Sequence, residues 1–164
     1  MLSPDLQTCV SIASGWFESG DWSRAEEELE RLPLEEHYAA PVLILRCLIY
    51  GRAAKWERVE AVAQSGAEAY PDEQRFYVHS AWAKHRLGKT EEGLQIARGA
   101  VWRFPTSGIV AYTMACLNGA LGREEEARAW LRAAFERALE RNRLEQRARR
   151  QRELHFLWKD SEEV

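Results

Sequence analysis

The chain has 164 residues, of which 46% are hydrophobic and 30% charged, and its formal net charge is −3. This length fits one domain with a buried core, and the small net charge excludes a molecule that attracts nucleic acid or membranes as a whole. Residues 1–5 lack the basic and apolar regions of a secretory signal. The longest apolar run, residues 42–45, is too short to cross a bilayer. We therefore expect a single cytoplasmic domain.

Apolar periodicity and turn residues predict nine helices and no strand. In chain order they cover residues 5–19, 22–32, 39–52, 56–69, 73–87, 90–103, 107–121, 124–140 and 143–158. The second helix should be short because Pro33 follows it closely. The third is apolar on nearly every side, as expected for a helix with neighbours on both sides.

A 34-residue period groups these helices into pairs. Gly20, Ala54, Gly88 and Gly122 recur at that spacing, and glycine permits the left-handed conformation of a tight turn after a helix. Counting outward gives repeats at 6–39, 40–73, 74–107 and 108–141. Most positions in four columns are small, which suits helices that cross at close distance. The columns are the eighth (Ala13, Cys47, Ala81, Ala115), twentieth (Ala25, Val59, Gly93, Ala127), twenty-fourth (Leu29, Ala63, Ala97, Leu131) and twenty-seventh (Leu32, Gly66, Ala100, Ala134).

With these residues the chain resembles the tetratricopeptide repeat (TPR) family over the four repeats, 136 of its 164 residues. It looks like short, stand-alone bacterial members that close with a Leu-x-x-Leu-Trp-like segment, here residues 154–158. The resemblance implies an all-α solenoid of four helix-turn-helix repeats, closed by a capping helix at about 143–158. The chain departs from the family pattern at the seventh place of the repeat (Arg46 and Ser80) and at the eleventh (Lys84 and Asn118).

The resemblance also implies a concave groove lined by the first helix of each repeat. Carried over position by position, the groove consists of Phe17, Ile44, Leu48, Arg52, Arg75, Val78, Trp82, His85, Arg86, Tyr112 and Cys116. Apolar, aromatic and basic side chains together suit a protein segment with apolar groups and carboxylates. In the competing interpretation, Trp82 and Tyr112 only fill the inner surface of the stack. The family's carboxylate clamp is absent, because Val10 and Ser14 replace its lysine and asparagine.

No pattern for catalysis, a metal or a cofactor is visible. His79 and His85 are six residues apart and so point about 120° away from each other on a helix. The cysteines, Cys9, Cys47 and Cys116, are scattered without a Cys-x-x-Cys pair, and we expect them to be small buried residues. Glycine-rich phosphate loops and Gly-x-Ser-x-Gly elbows are missing as well. We predict that the protein is not an enzyme and needs no cofactor or metal.

An arginine-rich stretch, residues 137–153, has seven arginines against three glutamates. It could contact phosphates. However, no aromatic side chain lies between the arginines to stack on bases, and an apolar stripe runs beneath them (Leu144, Ala148, Leu154 and Trp158). We favour a solvated face on a capping helix, and nucleic acid is not the expected partner.

The leading hypothesis is a non-enzymatic adaptor that holds a protein segment in the concave groove. The alternative is a self-assembly module whose terminal helices pair into a homo-oligomer. Nucleic-acid contact through the arginine-rich stretch is the third hypothesis.

Overall fold

In the computed structural model, residues 4–161 are described, and they form nine α-helices and two 3-10 segments without a strand. The predicted all-α, helix-turn-helix repeat fold is confirmed. The helices are α1 (Pro4–Glu18), α2 (Trp22–Glu30), α3 (Ala40–Arg52), α4 (Trp56–Ala69), α5 (Gln74–Arg86), α6 (Thr90–Arg103), α7 (Gly108–Ala120), α8 (Glu124–Arg137) and α9 (Arg141–Arg149). The 3-10 segments are Leu34–Tyr38 and Arg152–Ser161. The chain divides into two compact units, Met1–Ala83 and Lys84–Val164, and the single domain and its repeat bounds stay a prediction.

In the first unit, α1 pairs with α2 and α3 with α4, while α3 also packs on α1 and α2. The Asp21 side chain caps α2 by accepting a hydrogen bond from the Arg24 amide at 3.1 Å. α2 is only nine residues long, as Pro33 predicted. The 3-10 segment Leu34–Tyr38 then leads into α3, which has Pro41 in its first turn.

In the second unit, α7 packs on α6 and α8, and the C-terminal 3-10 segment packs on α7, α8 and α9. Every residue of α7 from 110 to 118 is buried. Two of them are polar, and each bonds a carbonyl of its own helix: Thr113 Oγ1 donates to Ile109 O at 2.9 Å and Asn118 Nδ2 to Met114 O at 2.8 Å. Asn118 therefore replaces the family's usual aromatic residue without leaving its polar group unsatisfied.

The turns between paired helices have one geometry in all four repeats. Gly20, Ala54, Gly88 and Gly122 adopt positive φ angles of 86°, 54°, 80° and 70°. The amide of the next residue donates to a carbonyl five residues earlier, and this bond is 2.9 Å long in each repeat (Asp21 to Trp16, Lys55 to Tyr50, Lys89 to Lys84 and Arg123 to Asn118). This is the hydrogen bond of a Schellman cap, so the 34-residue sequence period is also a backbone period.

The small-residue columns are buried throughout. All sixteen residues at the eighth, twentieth, twenty-fourth and twenty-seventh places are buried. Gly66 marks the tightest approach, because a Cβ at this position would overlap the ring of Phe76, itself fully buried. The small side chains therefore lie where the helices of each unit pack most closely.

The predicted continuous helix 143–158 is wrong. α9 ends at Arg149, and the chain continues as the 3-10 segment Arg152–Ser161. At the end of α9, backbone hydrogen bonds between residues three apart replace the α-helical pattern. The Gln151 amide donates to Ala148 O at 3.1 Å and the Leu154 amide donates to Gln151 O at 3.0 Å. The break redirects the chain, so that Glu153 contacts α5 and α7 rather than continuing along a helix axis.

Candidate functional site

In the first unit, the predicted groove positions on α1 and α3 form an accessible surface. Phe17 on α1 is half-buried, and the Arg52 guanidinium lies 5.7 Å from the centre of its ring. Leu48 is one turn before Arg52 on α3 and is 38% exposed. Arg52 is exposed and forms no ion pair with the described side chains of residues 5–158. We call Phe17, Leu48 and Arg52, with the neighbouring half-buried Val10, the open face.

Two other predicted groove residues of this unit are engaged elsewhere. Ile44 is 6% exposed and packs in a core cluster with Leu43 and Phe76, so little of its surface is accessible in this conformation, and its role in binding stays a prediction. Arg75 is bound to Glu73, with Nε 2.9 Å and an Nη atom 2.7 Å from its two carboxylate oxygens. That carboxylate already neutralises Arg75, whereas Arg52 remains available to a partner's acidic group.

Val78 and Trp82, four residues apart on α5, are both half-buried. Between them lies His79, whose pKa is lowered to about 4, mainly by burial and then by the Arg75 charge. Val78 and Trp82 keep part of their surface accessible, and their predicted role in binding stays a prediction.

In the second unit, Tyr112 and Cys116 on α7 are fully buried. Burial raises the pKa of the Tyr112 hydroxyl and raises that of the Cys116 thiol to about 12. The chain's own C-terminal residues contact Tyr112: the Arg147 guanidinium lies 5.2 Å from the ring centre, and the hydroxyl donates to Gln151 Oε1 at 3.5 Å. A partner therefore cannot reach these two predicted groove residues in this conformation.

His85, at the end of α5, binds the carboxylate of Glu153. Its Nε2 lies 3.1 Å from Glu153 Oε1, and its Nδ1 lies 3.0 Å from Thr90 Oγ1. Since a carboxylate only accepts, Nε2 carries a proton, and in the neutral ring Nδ1 accepts from the threonine hydroxyl. The hydrogen bond from His85 is the main reason why the pKa of Glu153 is lowered to about 2. The side-chain Nε2 of Gln151 donates to the other carboxylate oxygen, Oε2. Arg86, the next residue, is exposed.

Gly119 completes this site on α7. A Cβ at Gly119 would overlap the carbonyl oxygen of Glu153 and would lie 3.2 Å from a ring carbon of Phe156. Glycine is therefore needed there for the close approach of the C-terminal backbone. Leu154, the residue after Glu153, is fully buried. We call His85, Tyr112 and Gly119 the tail site, and residues 151–158 the tail.

Sequence reasoning missed Glu153, Gln151 and Gly119 as site residues. One signal was present: Gly119 is at the twelfth place of its repeat, as are Phe17 and His85, and the family uses that place to line its groove. A glycine at a lining position permits another backbone to approach. Glu153 gave no comparable signal, because it stands among arginines in a stretch interpreted as solvated.

Several arginines of the stretch 137–153 have partners within the second unit. The guanidinium of Arg141 lies over Phe135, that of Arg147 over Tyr112 and that of Arg149 over Trp158, at 5.2 to 5.8 Å from the ring centres. Arg143 pairs with Glu140 at 3.0 Å. Ala148 and Leu154 of the predicted apolar stripe are fully buried. These contacts favour a packing role for the stretch.

Cys9, Cys47 and Cys116 are all buried, as predicted. Burial raises the pKa of Cys47, like that of Cys116, to about 12, which disfavours the reactive thiolate. Over residues 5–158, whose side chains the structure describes, no cluster of three or more metal-binding groups forms. None of the helices within that range combines the length and apolarity needed to span a membrane.

Comparison with known proteins identifies similar solved structures but no family. The structure named MamA MSR-1 C2 matches with a TM-score of 0.62 and 22% identity, over 83% of this chain and 80% of that one. MamA AMB-1 C2221 matches with a TM-score of 0.60 and 22% identity, over 81% and 78% of the two chains. No family model and no curated protein matches. At this identity the similarity extends to the helical fold alone.

Proposed function

We propose that this protein is a non-enzymatic adaptor that holds a partner segment on the first helices of its repeats. The observation that carries the proposal is the open face of the first unit. An unpaired guanidinium lies there over an aromatic ring, one helical turn from an exposed leucine. Aromatic and arginine side chains of this kind dominate the energy of protein interfaces.

The chemistry of the open face indicates the partner. Arg52 can form a charge-assisted bond with a carboxylate, while Phe17, Leu48 and Val10 offer apolar surface. A segment that carries an acidic side chain beside apolar ones therefore fits. Trp82, His85 and Arg86 remain proposed contacts on α5.

Affinity capture from the native cell, followed by affinity measurement on the captured partner, tests this function. Loss of one anchor worth about 2 kcal/mol weakens binding roughly thirtyfold, and we expect this for Arg52→Ala and Trp82→Ala. Arg98→Ala and Trp102→Ala are matched controls on α6, where Arg98 is exposed and Trp102 is 89% exposed. If both groove variants fold and bind as tightly as the parent, the partner does not bind this surface.

Self-assembly is the second candidate, because each unit exposes large apolar side chains away from the first helices. Trp102 and Leu139 are 89% and 104% exposed in the second unit, and Leu34 is 77% exposed in the first. Exposed apolar groups of this kind can mark an interface. Sedimentation velocity over a range of concentrations would reveal a homo-oligomer, and Leu139→Ala should then weaken it.

A further inference from the structure

The tail reaches further back along the chain than a cap for the last repeat requires. Covering the exposed face of a terminal repeat needs contacts with that repeat, here α7 and α8. Glu153 also binds His85, which lies 68 residues earlier on α5. The contact is polar and oriented, since Thr90 Oγ1 binds the other ring nitrogen of His85.

The tail site presents the features of a peptide-binding surface. His85 supplies an N–H donor for a carboxylate, and Gly119 leaves room for a main-chain carbonyl. The fully buried Leu154 and the half-buried Phe156 provide the apolar part of the occupant. Together these contacts select a glutamate followed by a leucine and, two residues later, an aromatic side chain.

The connection to the tail allows it to leave the site. α8 ends at Arg137, and Ala138 is extended with φ −77° and ψ 129°. Leu139, the next residue, is fully exposed. A rotation at these two residues can carry α9 and the tail off α7 and α8 as one piece, and it exposes the buried Ala148 and Leu154.

We propose that the tail site is a docking site for a partner segment of the form Glu-Leu-x-aromatic, and that the tail fills it as an internal substitute. This inference rests on the adaptor function and gives it a second site and a partner chemistry. A tethered tail has an effective concentration in the millimolar range. A partner segment can bind only those molecules in which the tail is undocked. Its apparent affinity is therefore the intrinsic affinity multiplied by the undocked fraction.

The test uses a fluorescent peptide of residues 150–158 and the full-length protein, with binding followed by fluorescence anisotropy. Glu153→Gln keeps the shape of the side chain but weakens the tail's own anchor. Weakening a mostly docked tail tenfold raises the open fraction about tenfold, so the peptide should bind this variant about ten times more tightly than the parent. Adding His85→Ala to Glu153→Gln should reverse that gain.

Two controls separate this proposal from the open face. Arg52→Ala in the Glu153→Gln background should leave peptide affinity unchanged, and a peptide with glutamine at position 153 should bind at least tenfold more weakly. The peptide test needs no native partner, so a negative result does not contradict the proposed function of the open face. A negative result in the capture experiment likewise does not contradict the proposal for the tail site. Equal peptide affinity for the parent and Glu153→Gln would overturn the proposal, and so would a peptide affinity that His85→Ala does not change.

A measurement on the unmodified protein covers the case in which Glu153→Gln does not fold. Saturating peptide should displace the tail and speed hydrogen exchange at the Leu154 amide, which bonds Gln151 O at 3.0 Å in the docked state. If exchange at the Leu154 amide is unchanged at saturating peptide, a partner segment is not the occupant. The same conclusion follows if the parent protein, without peptide, forms dimers through the tail.

Discussion

Ala54 is the only non-glycine residue among the described residues with a positive φ angle, 54°. For an L-residue, a left-handed conformation costs about 1–2 kcal/mol. Glycine removes this cost but loses about 0.5–1 kcal/mol through the greater freedom of the unfolded chain. Ala54→Gly should therefore stabilise the protein by about 0.5–1 kcal/mol. For a chain of this size, we expect the melting temperature to rise by roughly 1–4 °C.

The reverse substitution gives the matched comparison. A Cβ at Gly88 would meet no atom within 4 Å, so Gly88→Ala should destabilise through backbone strain alone, by about 1 kcal/mol. Gly99 in α6 is equally open but lacks a positive φ angle, and Gly99→Ala should stabilise by about 0.5–1 kcal/mol. Calorimetry on all three variants measures the effect. A lower melting temperature for Ala54→Gly, or the same sign for Gly88→Ala and Gly99→Ala, would refute the argument.

Three further predictions concern packing and protonation. Gly66→Ala should destabilise by about 1–3 kcal/mol, because the methyl group overlaps the buried Phe76 ring; denaturation that matches the parent would contradict this. Ala81→Leu, at a fully buried position, should cost a similar 1–3 kcal/mol in thermal unfolding. Glu153 has a folded pKa of about 2, below its ordinary 4.5, so it stabilises the protein above pH 4.5 and this contribution is lost as the pH falls toward 2. The stability difference between the parent and Glu153→Gln should shrink over that range, and a constant difference would contradict the assignment.

The repeat could be predicted from the sequence because its determinants are local. A glycine at a turn, a proline after a helix and small residues at a fixed place in each helix act over a few neighbouring positions. The four turns consequently share one φ region and one 2.9 Å hydrogen bond. The eighth-place column also predicted correctly that Cys47 is buried.

The accessibility of the predicted groove was decided by tertiary structure. Tyr112, at a predicted lining position, is buried, with Arg147 over its ring and Gln151 at its hydroxyl. The continuous helix 143–158 gives way to a break that brings Glu153 to His85. These contacts join residues 39 and 68 positions apart. Local propensity favours a helix through residues 143–158, but burial of Leu154 and a charge-assisted bond to His85 outweigh that preference. A 34-residue pattern carries no information about which distant segment fills the surface that it creates.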